Sequence, residues 1–205
     1  MPSPRWLSLP LTLALGAVLH LSLKAAEPAV HVKPTAAGTW VLEVRGQSFP
    51  CAVGRSGVAQ PGAKREGDGM TPSGDYTFRE LFFRADKVDA KSLPAAWNPR
   101  PLQKTDGWCD EPRDPQYNKL VSLPYAPSHE ELWRPDDLYD FIVPIGYNDD
   151  PVVPGRGSAI FFHVASPGYG PTAGCVAVSK AHYLQILSLL KPGDLIRIEA
   201  ATPSK

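Results

Sequence analysis

Proline limits this chain more than any other residue: there are 23 among 205 residues, with 17 glycines beside them. A proline inside a helix removes a hydrogen bond and clashes with the preceding turn, so long helices are excluded over most of the sequence. The two residue types still make up only about one fifth of the chain, below the roughly 25–30% of low-complexity segments. With 43% hydrophobic residues, the chain has enough apolar surface for one ordinary domain with a real core. The expectation is therefore a folded, turn-rich and mainly β protein. Basic and acidic side chains balance at 21 each, which argues against a nucleic-acid partner held by a basic surface. No G-x-x-x-x-G-K-[ST] occurs, so P-loop chemistry is excluded.

The charge balance conceals a split. Residues 1–26 carry Arg5 and Lys24 but no acid, which leaves 19 basic against 21 acidic side chains in the remainder. From Trp6 to Leu23 there is no charge, and Ala25 and Ala26 follow. A basic start, an apolar run and small residues form the layout of a secretory signal peptide. The alternative is an N-terminal anchor through residues 6–23, since 18 uncharged residues approach the lower limit for a span. Either reading puts residues 27–205 in a periplasmic or secreted location.

Beyond that leader, a two-residue apolar period runs through Val30 and Val32, then through Trp40, Leu42 and Val44, with Gly38 and Gly46 marking turns. This predicts half-buried strands. Further strands are expected at Phe49–Val53, Tyr76–Phe83, Tyr139–Tyr147, Ser158–Ala165, Cys175–Val178 and Asp194–Glu199. One short helix is expected after Ser179, a good N-cap, with Tyr183, Leu184, Leu187 and Leu190 at helical spacing and Pro192-Gly193 as its stop. Residues 84–138 hold eight prolines and three tryptophans, and neither period persists there. The segment reads as a long Pro/Trp-rich loop insertion, either simply structured or walling a substrate cleft.

The cysteines are three: Cys51, Cys109 and Cys175. Outside the cytoplasm two of them would tend to pair. Three pairings are open, and a Cys51–Cys109 bridge would tie the insertion to the sheet and leave Cys175 free. A free cysteine is commonly just a small buried residue. Here, however, His163 ends an apolar strand twelve residues before Cys175, and the intervening Pro167, Gly168, Gly170 and Pro171 favour a turn that returns the chain to the same edge. A free thiol, pKa ~8.5, is mostly protonated at neutral pH, and a neighbouring imidazole can take its proton. This predicts a thiolate–imidazolium pair suited to acyl transfer through a thioester. Gly174 would allow close approach of substrate backbone beside an oxyanion-binding amide. One His and one Cys, even with His182 added, are too few for structural zinc. No metal or other cofactor is called for.

Three stretches carry a family likeness. Lys64-Arg65-Glu66-Gly67-Asp68-Gly69-Met70-Thr71-Pro72-Ser73-Gly74 resembles K-x-E-G-D-G-x-T-P-x-G. His163 resembles a histidine on a central strand, and Thr172-Ala173-Gly174-Cys175-Val176 resembles [S/T]-x-G-C-hydrophobic. Together, over about residues 38–199, they resemble the YkuD-type L,D-transpeptidase catalytic domain of exported bacterial cell-wall enzymes. Gly107-Trp108-Cys109-Asp110 with Tyr117-Asn118, and Gly146 to Pro151 with Gly155 to Ser158, resemble one branch of that family. The resemblance implies a YkuD-like β-sandwich or mixed sheet with one short C-terminal helix, within a catalytic domain spanning residues 27–205. It implies Cys175 as nucleophile, His163 as general base, Gly174 beside the oxyanion and Thr172 in support. It also implies peptidoglycan stem peptides as substrates, cleaved between a diamino acid and a terminal D-alanine, and acylation of the sulfur by carbapenems.

Two positions depart from the family pattern. Ala173 stands where many members carry a second histidine, and Ala177 stands near a usual Asn or Arg. For the carboxylate that ends the stem, Arg156 and Arg55 are candidate partners. Asn148 is a candidate for an amine of the stem, or else a turn residue. Hydrolysis of the same stems by an L,D-carboxypeptidase or endopeptidase, and a non-catalytic wall-binding module, are the competing readings.

Overall fold

The computed structural model describes residues 27–201. The expected signal or anchor over residues 1–26 lies outside the described residues. Among the described residues, no helix is long and apolar enough to cross a membrane.

Two five-stranded sheets form the body. The first contains β1 (Val30–Pro34), β2 (Trp40–Val44), β3 (Gln47–Cys51), β4 (Gly74–Thr77) and β13 (Leu195–Ile198), in the order β3-β2-β1-β13-β4. The hairpins β1–β2 and β2–β3 turn at the glycines that mark them in the sequence: Gly38 and Gly46 have φ of 77° and 78°, a conformation available to glycine without a Cβ clash. The chain's last strand, β13, inserts beside its first, pairing parallel to β1 with Val30 opposite Ile196.

The second sheet contains β5 (Phe82–Phe83), β6 (Arg100–Pro101), β10 (Phe141–Pro144), β11 (Phe161–Val164) and β12 (Val176–Val178), in the order β12-β11-β10-β5-β6. Every residue of β10, β11 and β12 is buried. Strands covered on both faces lose the polar alternation of half-exposed ones, which is why Ser158–Ala165 reads as one apolar run.

The main core fills the space between the sheets. Val30, Val32, Leu42 and Val44 meet Phe141, Val143, Phe162, Val164, Val176 and Val178 there. Helix α1 (Lys180–Leu189), the one α-helix among the described residues, closes one end. Ser179 caps it by accepting from the His182 amide, and Tyr183, Ile186 and Leu187 are buried against the sheet. The Tyr183 ring stacks on Phe162 and Phe141 at 4.4 and 5.2 Å. This is the mainly β architecture with one C-terminal helix expected from the sequence.

Two expectations need correction. The single strand expected from Tyr76 to Phe83 is two strands in different sheets. The chain crosses between them at Phe78, whose backbone bonds Asp194 and Gly193 and bridges to Ile145. Burial of Phe78, Leu81, Phe82 and Phe83 on opposite sides of that crossing explains why one continuous apolar run serves both sheets. The bridge Cys51–Cys109 is absent, because all three cysteines are free and buried. Cys51 pairs with Trp40 in the first sheet, whereas Cys109 pairs with His129 in a separate small sheet.

That small sheet belongs to the Pro/Trp-rich segment, which is more ordered than its lack of periodicity suggests. It carries two 3-10 turns, Ala90–Ser92 and Ala95–Trp97. It also carries β7 (Asp106–Cys109), β8 (Leu120–Ser122) and β9 (His129–Glu131), in the order β8-β7-β9. Strands of three or four residues are too short to establish a period of two. Trp97 anchors the segment: its ring lies in the main core and its indole N–H donates to the Leu187 carbonyl at 3.0 Å. Trp108 and Trp133 pack instead around a second apolar cluster containing Phe82, Ile142, Phe161 and Cys175. The small sheet therefore caps the face of the second sheet that points away from the main core.

The KREGDG segment is locked to the body by close backbone contact. A Cβ on Gly54 would lie 2.3 Å from the Gly69 carbonyl oxygen and 2.8 Å from the Thr71 nitrogen. Backbone atoms cannot yield as a flexible side chain can. Gly54→Ala is therefore expected to destabilise the fold by about 2 kcal/mol or more, read as a lowered urea midpoint. An unchanged midpoint would disprove the locking contact.

Candidate active site

The parallel pair β11–β12 sets the site. Phe162 lies opposite Val176 and His163 opposite Ala177. Side chains alternate across a strand, so Phe162, Val164, Val176 and Val178 enter the main core, while Phe161, His163 and Ala177 face the cap. Cys175, one residue before β12, shares that second face and packs with Phe161. Cys175 and His163 are each 6% exposed and line one cavity of about 350 Å³. Ala177 lines it between them.

A short turn presents the sulfur. Thr172 Oγ1 donates to the Cys175 carbonyl at 2.7 Å and accepts from the Gly174 amide at 3.1 Å. Thr71 Oγ1 reaches the same carbonyl at 3.4 Å and accepts from the Gly54 amide at 2.8 Å. Gly174 has φ of 148°, and a Cβ there would meet the Met70 carbonyl oxygen at 2.9 Å. Two of the likeness-bearing motifs thus pack on each other, the Gly69–Thr71 backbone bracing the cysteine turn. The Gly174 amide is used by Thr172, and its lack of a side chain serves close packing against Met70. The amides of Ala173 and Cys175, by contrast, donate to no acceptor among the described residues.

The sulfur itself is held by backbone. It accepts from the Phe161 amide and donates to the Ala159 carbonyl, both at 3.3 Å. Ala159 takes φ of 52°, and Asn118 Oδ1 accepts from its amide at 3.1 Å. Asn118 in turn bonds the carbonyls of Tyr147 and Asn148 and the indole of Trp108. Tyr117 donates to Glu66, which also accepts from Ser158 Oγ at 2.7 Å. The Tyr117-Asn118 pair, the KREGDG segment and the Gly155–Ser158 loop therefore form one polar network behind the cavity wall.

Burial governs the charge states. It pushes the Cys175 thiol up to about 12, aided by the negative charge of Glu130, and pulls His163 down to about 4. Burial thus favours the neutral thiol and the neutral imidazole over the charged form of each. Taking either charge out of water costs more than the surrounding groups return. His163 Nδ1 lies 2.8 Å from the Val164 carbonyl oxygen. That contact requires Nδ1 to carry the proton and leaves Nε2 as the free base.

Of the three residues expected to bind substrate, only Arg55 lines this cavity. Its exposed side chain lies across Gly69, where a Cβ would meet the guanidinium carbon at 2.9 Å. No acid among the described residues pairs with it. Arg156 is exposed on the Gly155–Ser158 loop and contributes its backbone oxygen to Tyr147. Asn148 is a loop-forming residue. Its amide donates to the Val153 and Gly157 carbonyls at 3.0 and 2.8 Å, and its oxygen accepts from the Val153 amide at 2.8 Å. Sequence reasoning missed the cap's contribution of Asp110, Glu130 and Arg134, and of Tyr139 just beyond. Their only signal was the density of charge in a segment without periodicity. Among the described residues, no group of three or more His, Cys, Asp or Glu side chains is arranged to hold a metal ion.

Comparison with known proteins follows the same lines. The family model described as the L,D-transpeptidase catalytic domain, YkuD, matches residues 28–198. No curated protein matches the chain by sequence. Among solved structures, an L,D-transpeptidase from Mycobacterium smegmatis is 15% identical with a TM-score of 0.38, over 84% of this chain and 59% of its own. L,D-transpeptidase 3 from Mycobacterium tuberculosis, in complex with a faropenem-derived adduct, is 17% identical with a TM-score of 0.37, over 84% and 60%. The chain thus spans about 60% of the length of these solved structures.

The buried imidazole predicts a pH dependence of stability. Its folded pKa, about 4, lies below the ordinary 6.5. Its contribution is therefore complete above 6.5 and is lost as pH falls through 4, because the unfolded chain binds the proton first. Urea unfolding should show a loss of about 3 kcal/mol across that window from this group. His163→Asn should flatten the slope there, and an unaltered slope would refute the assignment.

Proposed function

Because the chain belongs to the YkuD family of L,D-transpeptidase catalytic domains, we propose that it is a cysteine-dependent L,D-transpeptidase acting on peptidoglycan stem peptides. The observation that carries this reading is the single cavity that Cys175 and His163 both line. A neutral pair suits general-base attack. As the sulfur bonds the carbonyl carbon at the L centre of the stem's diamino acid, Nε2 of His163 takes the thiol proton. The same nitrogen then returns it to the departing D-alanine amine, leaving a thioester on Cys175. An amine of a second stem attacks the thioester, loses a proton to the imidazole and releases the thiol.

The free amides of Ala173 and Cys175 are the donors that the structure offers to the transient oxyanion. Thr172 and Gly174 act one step back, by shaping the turn that aims those amides and the sulfur. Arg55, unpaired and at the cavity, is suited to the terminal carboxylate of the stem, for which a guanidinium gives two parallel hydrogen bonds. The apolar run over residues 6–23 supports the further proposal that the enzyme works outside the cytoplasm, where its substrate lies.

Incubation with stem tetrapeptides, read by mass, tests this. Crosslinked dimers are expected, whereas tripeptide alone would replace transfer by hydrolysis as the function. Cys175→Ala must abolish both products. It must also abolish the mass increase on exposure to a carbapenem; turnover that survives it would end the proposal. Arg55→Ala is expected to raise KM for the tetrapeptide about tenfold or more, with Arg55→Lys recovering part of the loss. A wild-type KM in Arg55→Ala would remove Arg55 from the substrate site.

A further inference from the structure

Glu130 lies on β9 of the cap, outside every motif that carries the family likeness, yet it reaches the reacting pair by two routes. The first is mechanical. The Tyr139 hydroxyl donates to Glu130 Oε1, and the Tyr139 ring stands edge-on to the His163 imidazole with centroids 5.2 Å apart. Tyr139 also packs on Phe161, and the guanidinium of Arg134 lies 5.2 Å over its ring. The neighbouring Leu138 carbonyl accepts from the Val164 amide at 3.1 Å, so the strand carrying His163 and the segment carrying Tyr139 are joined on both sides of the imidazole. A single hydrogen bond from Tyr139 then ties this assembly to the cap.

The second route is electrostatic. Glu130 lines the cavity that holds Cys175, and a charge beside a buried group is felt more strongly than in bulk water. Its negative charge is the largest named electrostatic influence after burial that holds the thiol protonated. The other charged and titratable groups facing the cavity are Arg55, Lys64, Glu66, Asp110, Arg134, Tyr139 and His163. Most of these are committed elsewhere. Lys64 binds Asp68 at 2.8 Å, Arg134 binds Asp136 at 2.6 Å, and Glu66 is taken by Tyr117 and Ser158. Among the described residues Glu130 forms no salt bridge and its side chain accepts from Tyr139; burial raises its own pKa, and the charge of Arg134 partly offsets its charge.

We propose that Glu130 is a positioning residue of the transfer reaction: it fixes Tyr139 against His163 and places a negative charge on the wall of the cavity that holds Cys175. The cap is thereby part of the reacting centre's control, and removing the charge makes the sulfur available at lower pH.

The test measures alkylation of Cys175 by iodoacetamide against pH, with the modified residue identified by peptide mass. It uses the enzyme alone and does not depend on what the substrate is. Glu130→Gln keeps an oxygen for Tyr139 and removes the charge. It is expected to move the alkylation midpoint down by about half a pH unit or more, an increase of about threefold in rate on the rising limb. Glu130→Asp, which keeps the charge, should stay closer to the wild-type midpoint. A wild-type midpoint in Glu130→Gln, or an equal shift in Glu130→Asp, would overturn the electrostatic role.

Tyr139→Phe removes one oxygen and remains informative if Glu130→Gln fails to fold. Its midpoint must not fall, because the charge remains, and a fall would overturn the proposal. With stem tetrapeptide, Tyr139→Phe should lower kcat about tenfold with little change in KM, and an unchanged kcat would overturn the positioning role. The mechanism and this inference fail separately. Absence of turnover in the wild-type protein defeats the transpeptidase reading, whereas an unmoved alkylation midpoint defeats the assignment to Glu130.

Discussion

The parallel register of β11 and β12 is the constraint on which the rest of this structure depends. Pairing Phe162 with Val176 sends two aromatic and aliphatic rows into the main core. The same pairing turns His163, Ala177 and, one residue earlier, Cys175 to the opposite face. A slip of one residue in β12 would reverse its faces, burying Cys175 in the main core and exposing valines to the cavity. The burial of Val176 and Val178 therefore holds the nucleophile candidate in place, and core packing and site geometry are one choice of register.

Around that pair, the site is assembled from segments distant in sequence that meet through backbone contacts. The cysteine turn leans on the Met70–Thr71 backbone, and that backbone leans on Gly54. Glycine recurs here because carbonyl oxygens approach closer than a Cβ allows, so these positions fix shape without touching a substrate. Thr172 and Thr71 converge on one carbonyl, that of Cys175. Such double support restrains the turn while leaving neighbouring amides unpaired, a condition that a site for developing negative charge requires.

The electrostatic character comes from the cap. It covers the sheet face that carries Cys175 and His163. Covering that face excludes water and favours the uncharged form of each. The cap also brings Asp110, Glu130 and Arg134 to a cavity whose floor is built from β11, β12 and the turn before Cys175.

Much of this was legible in the sequence where the chemistry is local. Proline density excluded long helices. Two-residue periods at Val30–Val32 and Trp40–Val44 marked strands that cover the core on one face, and Ser179 with Pro192-Gly193 bounded helix α1. The motifs around Gly69, His163 and Cys175 pointed to the family, because close backbone packing tolerates few residue types. Legibility failed wherever partners were distant. Nothing in the chain of letters separates Arg55, which faces the cavity, from Arg156, which does not. Asn148 spends its amide on its own loop, a fact visible only once Val153 and Gly157 fold around it. The split at Phe78, the free state of Cys51 and Cys109, and the three-stranded cap within residues 84–138 were likewise decided by long-range pairing. Local residue pattern determined which elements form and which side chains can react. Only the tertiary structure decided which charges surround them, because burial and electrostatic neighbourhood arise from contacts between segments that sequence spacing does not encode.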